Sequence, residues 1–73
     1  MRILQVYREK QNLTQTALAE QLGISRPTYI KWERDGKYPL LRPAAITQLA
    51  ELFELSEDEV KQNKEVESYE LHG

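Results

Sequence analysis

The sequence has no cysteine, a single histidine, one tryptophan, one phenylalanine, three glycines and three prolines. Without cysteine there is neither a disulfide framework nor a thiolate metal site. His72 stands alone near the end of the chain, so no metal site and no cofactor are expected. No apolar run approaches the ~18 residues of a membrane span, and the N-terminus lacks the apolar core of a signal peptide. A soluble cytoplasmic protein with no membrane contact is the expectation. There is no internal repeat and no low-complexity segment. A 73-residue chain has room for one domain, burying only about 60% of its unfolded surface. Carboxylates are plentiful but gather at helix starts and in the C-terminal half, with no base, nucleophile or phosphate loop to complete a catalytic site. The chain is not expected to be an enzyme.

What is present is charge of two kinds, separated along the chain. The net charge of −2 averages a basic stretch, residues 1–42, with eight Lys/Arg against four acids, and an acidic stretch, residues 43–73, with two Lys against eight acids. Counterion release on a polyanion responds to the local patch, so the total does not exclude nucleic acid.

Apolar residues recur at helical spacing in five places. Arg2 to Gln11 reads as a first helix with Ile3, Val6, Tyr7 and Lys10 along one stripe, stopped by Asn12 in a left-handed conformation. Thr14 starts the second helix and Gly23 closes it. Ser25 caps the third, 26–34; Pro27 has no N–H, so the Ser25 hydroxyl should accept from the Thr28 amide. Pro43 suits the first position of a fourth helix whose buried stripe is Ile46, Leu49, Ala50 and Phe53. Ser56 and Glu59 form a capping box for a short fifth helix from Glu57 to about Asn63. Leu13 with Leu18, Ile24 with Tyr29 and Leu55 with Val60 flank three of the caps as hydrophobic staples. The expected organisation is an all-α domain over 1–63. Residues 64–73 read either as an acidic tail or as a partner-binding segment using Val66, Tyr69 and Leu71.

Everything turns on the third helix. At about 100° per residue, Tyr29, Trp32, Glu33 and Thr28 fall on one side, and Arg26, Ile30, Arg34, Pro27 and Lys31 on the other. Arg26 lies in the first turn, where the helix dipole disfavours a cation by roughly 0.3–1 kcal/mol, so local stability does not account for it. A duplex does: phosphates neutralise the charge, Arg or Lys hydrogen-bonds guanine edges, and Ile30 meets a thymine methyl. The competing explanation is an ordinary solvated face.

The residues LTQ at 13–15, LAEQLGIS at 18–25 and KWER at 31–34 resemble the Cro and phage-repressor type of helix-turn-helix, also called the xenobiotic-response-element type. The resemblance runs from about Arg2 to Val60. It implies a compact five-helix, lambda-repressor-like domain with the motif at about 15–34, and a sequence-specific transcriptional regulator, a repressor, working as a homodimer on double-stranded DNA. The face of the third helix puts Ser25, Arg26, Ile30 and Lys31 on base edges and Arg34 on a phosphate, while the resemblance adds Gln15, Lys37, Tyr38 and Arg42 as phosphate contacts and pairs Arg8 with Glu33. A bacterial or phage-encoded protein, nucleoid-associated when bound, is implied as well. Three positions depart from the family: Pro27 stands where relatives are often polar, Tyr29 where they carry a β-branched aliphatic, and Asp35 precedes Gly36 where glycine follows directly. The alternative reading keeps the fold for a protein-interaction module, an antitoxin or antirepressor, with the acidic C-terminal half as its partner surface.

Overall fold

Short connections of one design order the first three helices and the last two. In the computed structural model, which describes residues 1–36 and 43–66, the elements are α1 (Ile3–Lys10), α2 (Gln15–Leu22), α3 (Arg26–Asp35), α4 (Pro43–Phe53) and α5 (Glu57–Gln62). No strand occurs among the described residues. The fold is the all-helical, lambda-repressor-like arrangement implied by the resemblance. After α1, α2 and α4 the chain takes one left-handed residue, Asn12 (φ 58°), Gly23 (φ 70°) or Glu54 (φ 56°). The next residue, Leu13, Ile24 or Leu55, returns its N–H to a carbonyl five residues back, on Arg8, Ala19 or Ala50. This is the Schellman ending, which satisfies carbonyls that a helix terminus leaves bare. The residue after that caps the next helix: Thr14 accepts from the Ala17 amide, Ser25 from Thr28 and Ser56 from Glu59. The Glu59 carboxylate reaches back to the Ser56 N–H at 3.0 Å, completing the capping box.

The core is built on Leu4, Leu18, Tyr29, Trp32, Ile46, Leu49 and Val60, all essentially inaccessible. Each such side chain contributes about 1.5–3 kcal/mol on leaving water. Tyr7, Leu13, Ile24, Leu52 and Leu55 pack against it from the edge. Two glutamines tie α4 to the helices around it: Gln48 donates to the Gln21 carbonyl and Gln11 to the Leu52 carbonyl, both at 2.8 Å. The radius of gyration, 11.0 Å, equals the ~11 Å of a close-packed chain this long.

The first helix differs from its expected stripe. Its buried residues are Ile3, Leu4, Val6 and Arg8, while Tyr7 is half-buried and Lys10 exposed. The reason is that α1 is covered on more than one side. Arg8 turns toward α3, and the Tyr7 ring lies 5.8 Å from that of Phe53 in α4. Lys10 stays in water with its ammonium 5.0 Å above the Tyr7 ring.

Beyond α5 the chain runs back along the N-terminus. Asn63, in the left-handed conformation (φ 42°) and fully buried, donates its side-chain amide to the Trp32 carbonyl at 2.7 Å and accepts from the Leu4 N–H at 3.4 Å. Ile3 N–H donates to the Lys64 carbonyl, Met1 and Val66 exchange two hydrogen bonds, and Arg2 lies opposite Glu65 in an antiparallel bridge. The Arg2 guanidinium folds across Gly36, where a Cβ would stand 2.4 Å from its Cζ. Gly36 is favoured for its φ of 72°, whereas a Cβ there would displace only the flexible end of the Arg2 side chain. Tyr69, Leu71 and His72 lie outside the described residues.

Candidate nucleic-acid interface

Helix α3 is anchored by its two inner aromatics and by one carboxylate. Tyr29, Trp32 and Glu33 are buried. The Glu33 carboxylate accepts from Arg8 Nε at 2.6 Å and Arg8 Nη2 at 3.4 Å, from Gln15 Nε2 at 3.1 Å, and from the Tyr29 hydroxyl. Arg8 also donates through Nη1 to the Leu13 carbonyl at 2.7 Å. One buried arginine thus binds α1 to α3 and to the start of α2. Burial alone would lower the Arg8 pKa, but its hydrogen bonds to Glu33 and the charge of that carboxylate more than offset this and raise it. Burial, and then the hydrogen bond to Glu33, pushes the Tyr29 hydroxyl up, so it remains a donor at any physiological pH.

The opposite side of α3 is open. Ser25, Arg26, Lys31 and Arg34 are exposed and Ile30 is half-exposed, while Pro27 sits exposed beside Arg26. Ser25 is engaged locally: its Oγ accepts from the Thr28 amide at 3.3 Å, and its hydroxyl donates to Thr28 Oγ1 at 2.8 Å. A lone pair is what it has left to offer a base. Arg34 meets the adjacent Asp35 in two parallel contacts, Nε to Oδ1 at 3.0 Å and Nη2 to Oδ2 at 3.2 Å, and Asp35 raises the Arg34 pKa. Ile30, Glu33 and Arg34 line a shallow cleft of about 330 Å³ with Gln15 from α2 and Gln5 from α1.

Nine side chains were expected on the nucleic acid. Six of them, Gln15, Ser25, Arg26, Ile30, Lys31 and Arg34, lie on α2, on α3 or at the cap of α3. Gln15 spends its amide on Glu33, so it adds to the base of α3 besides standing at the start of α2. Lys37, Tyr38 and Arg42 lie outside the described residues.

A family model described as helix-turn-helix matches residues 4–60. The chain belongs to this helix-turn-helix family, of the Cro and phage-repressor type. It is a family of DNA-binding transcription regulators and not typically one of enzymes. No curated protein and no solved structure matches the chain significantly. In helix-turn-helix terms, α2 and α3 are the motif. Among the described residues no helix is long and apolar enough to cross a membrane, and no group of three or more His, Cys, Asp or Glu is placed to hold a metal ion.

Two contributors to this interface carry no local sequence signal of their own. Gln5 reaches the cleft beside α3 from the first turn of α1. Asn63 binds the Trp32 carbonyl in the last turns of α3 from thirty-one residues away. Its type is common at helix ends, which marks the stop after α5 but not the long-range contact.

Proposed function

We propose that the protein is a sequence-specific transcriptional repressor that reads the major groove with α3 as a homodimer, in the cytoplasm of a bacterium or from a phage genome. The observation that carries this is the division of α3: Tyr29, Trp32 and Glu33 are held inside while Arg26, Lys31 and Arg34 are exposed around a half-exposed Ile30. In the proposed complex Arg26 and Lys31 donate to guanine edges, Ile30 touches a thymine methyl, and Ser25 accepts from a base amino group. Gln15, Arg34, Lys37, Tyr38 and Arg42 contact phosphates, which fix register without reading sequence. One recognition helix covers too few base pairs for selectivity, and two copies reach half-sites about 10.5 bp apart.

Selection of bound fragments from a random duplex pool tests this. The expected product is a motif with two related halves, and Arg26→Ala or Lys31→Ala should erase the preference at one or two positions in each half. An unchanged motif in both variants removes these residues from base reading. Affinity through about six phosphates should fall by orders of magnitude between 50 and 200 mM salt.

The second reading, a protein-interaction module such as an antitoxin or antirepressor, is favoured by the exposure of Glu51, Glu54, Glu57, Asp58 and Glu59 on one half of the chain. Such a module with no nucleic-acid role would bind no duplex at any salt concentration.

A further inference from the structure

Asp35 stands at an electrostatically unfavourable place in its helix. It occupies the last position of α3, where the negative end of the dipole disfavours an acid. It grips Arg34: two parallel hydrogen bonds of 3.0 and 3.2 Å occupy Nε and one Nη2 proton of the guanidinium. Both side chains face solvent, at 65% and 44% exposure, on the half of the molecule that the proposed function puts against the DNA backbone.

We infer that Asp35 sets the affinity of the protein for DNA by competing with a backbone phosphate for Arg34. The inference rests on the reading of Arg34 as a phosphate contact. A guanidinium has five N–H donors, so a phosphate reaching Arg34 meets one of two situations. It takes the remaining end-on edge with the carboxylate still attached, which brings two anions together, or it displaces the carboxylate and forfeits the existing pair. Both make the contact weaker than a free arginine would make it. Because phosphates carry no sequence, the penalty applies alike to every duplex. Asp35 thereby lowers affinity and leaves the recognised motif alone, which keeps a small reader with a basic face from saturating non-cognate DNA.

The test measures binding of the full chain to its selected duplex, by fluorescence anisotropy between 50 and 200 mM salt, for the wild type, Asp35→Asn, Arg34→Ala and the double variant. Asp35→Asn should bind several-fold tighter at 50 mM with the same selected motif. With one more phosphate fully engaged, the slope of log affinity against log salt steepens by about 0.9, so the advantage shrinks about 3.5-fold over that range. In the Arg34→Ala background Asp35→Asn should gain no more than Glu51→Gln, a substitution of an exposed acid on α4. Equal gains with and without Arg34, or no gain, overturn the inference while a binding wild type leaves the regulator reading standing. A wild type that binds no duplex overturns both. Asp35→Asn relieves an acid at the negative end of a helix, so its fold is retained, and Asp35→Ser serves as a second variant with the same expected outcome.

Discussion

Four hydrogen bonds converge on the Glu33 carboxylate, and they decide the chemistry of the residue least expected beside it, Tyr29. A tyrosine hydroxyl titrates near 10 in an unfolded chain, and here burial first and the hydrogen bond to Glu33 second raise that value. Above about pH 10 the unfolded state therefore releases a proton that the folded state keeps, and stability falls as pH rises. The Tyr29 contribution is complete below its unfolded pKa and is lost above it. Tyr29→Phe deletes this titration together with a hydrogen bond to a charged acceptor, at a cost of roughly 1.5–3 kcal/mol near neutrality. Urea denaturation should show the gap between wild type and variant narrowing by about 0.8 kcal/mol from pH 8 to pH 10.5; a constant gap would mean that the hydroxyl ionises normally. At this scale the sequence was readable where a residue has one strong local role, as with the Ser25 cap. The Arg8–Glu33 pair, 2.6 Å apart, was readable only through resemblance. Asn63 was not readable, because its partners Trp32 and Leu4 are thirty-one and fifty-nine residues away.

Helix boundaries were the most legible feature, because each is written in three adjacent residues: Asn12-Leu13-Thr14, Gly23-Ile24-Ser25 and Glu54-Leu55-Ser56. The middle residue closes one helix and staples the next, so one apolar side chain sets two directions at once. Asparagine and glycine announce the left-handed position by their type, whereas Glu54 does so only by its place in the pattern. That makes Glu54 the weak member. A left-handed conformation costs an L-residue roughly 1–2 kcal/mol, of which glycine recovers part after its own entropic loss. Glu54→Gly should raise stability by about 0.5–1 kcal/mol. Gly23→Ala should lower it by about 1–2 kcal/mol, from backbone strain alone since nothing lies within 4 Å of the added Cβ. Chemical denaturation of the two variants measures both, and a Glu54→Gly protein no more stable than wild type would show that the glutamate side chain offsets its own strain. The α1 stripe was misjudged at this scale because periodicity assumes one buried face, whereas α1 meets α3 through Arg8 and α4 through Tyr7.

Over the whole molecule, the division into a basic and an acidic half is plain from composition, but the contact that closes the chain on itself is not. Residues 64–66 hydrogen-bond to Met1 and Ile3, so the sequence-based boundary at 63 is crossed by backbone pairing without that pairing necessarily holding the domain together. The energetics separate the two. Three hydrogen bonds at about 0.5–1.5 kcal/mol each are opposed by about 1–2 kcal/mol of backbone entropy for each of the three residues they order, which leaves little net stabilisation. Ending the chain after Asn63 should therefore change stability by no more than about 1 kcal/mol. Ending it after Gln62 is another matter. The Leu4 N–H then loses its partner in the interior, at about 1–3 kcal/mol for a buried group left unsatisfied, and the Trp32 carbonyl, which keeps the Gly36 N–H, loses one of its hydrogen bonds, at about 0.5–1.5 kcal/mol. A domain of this size has roughly 4–11 kcal/mol in total. Urea denaturation should place the second truncation at least about 1.5 kcal/mol below the first. Two truncations of equal stability would move the weight from the Asn63 side chain to the pairing of the chain ends, and would extend the folded unit beyond residue 63.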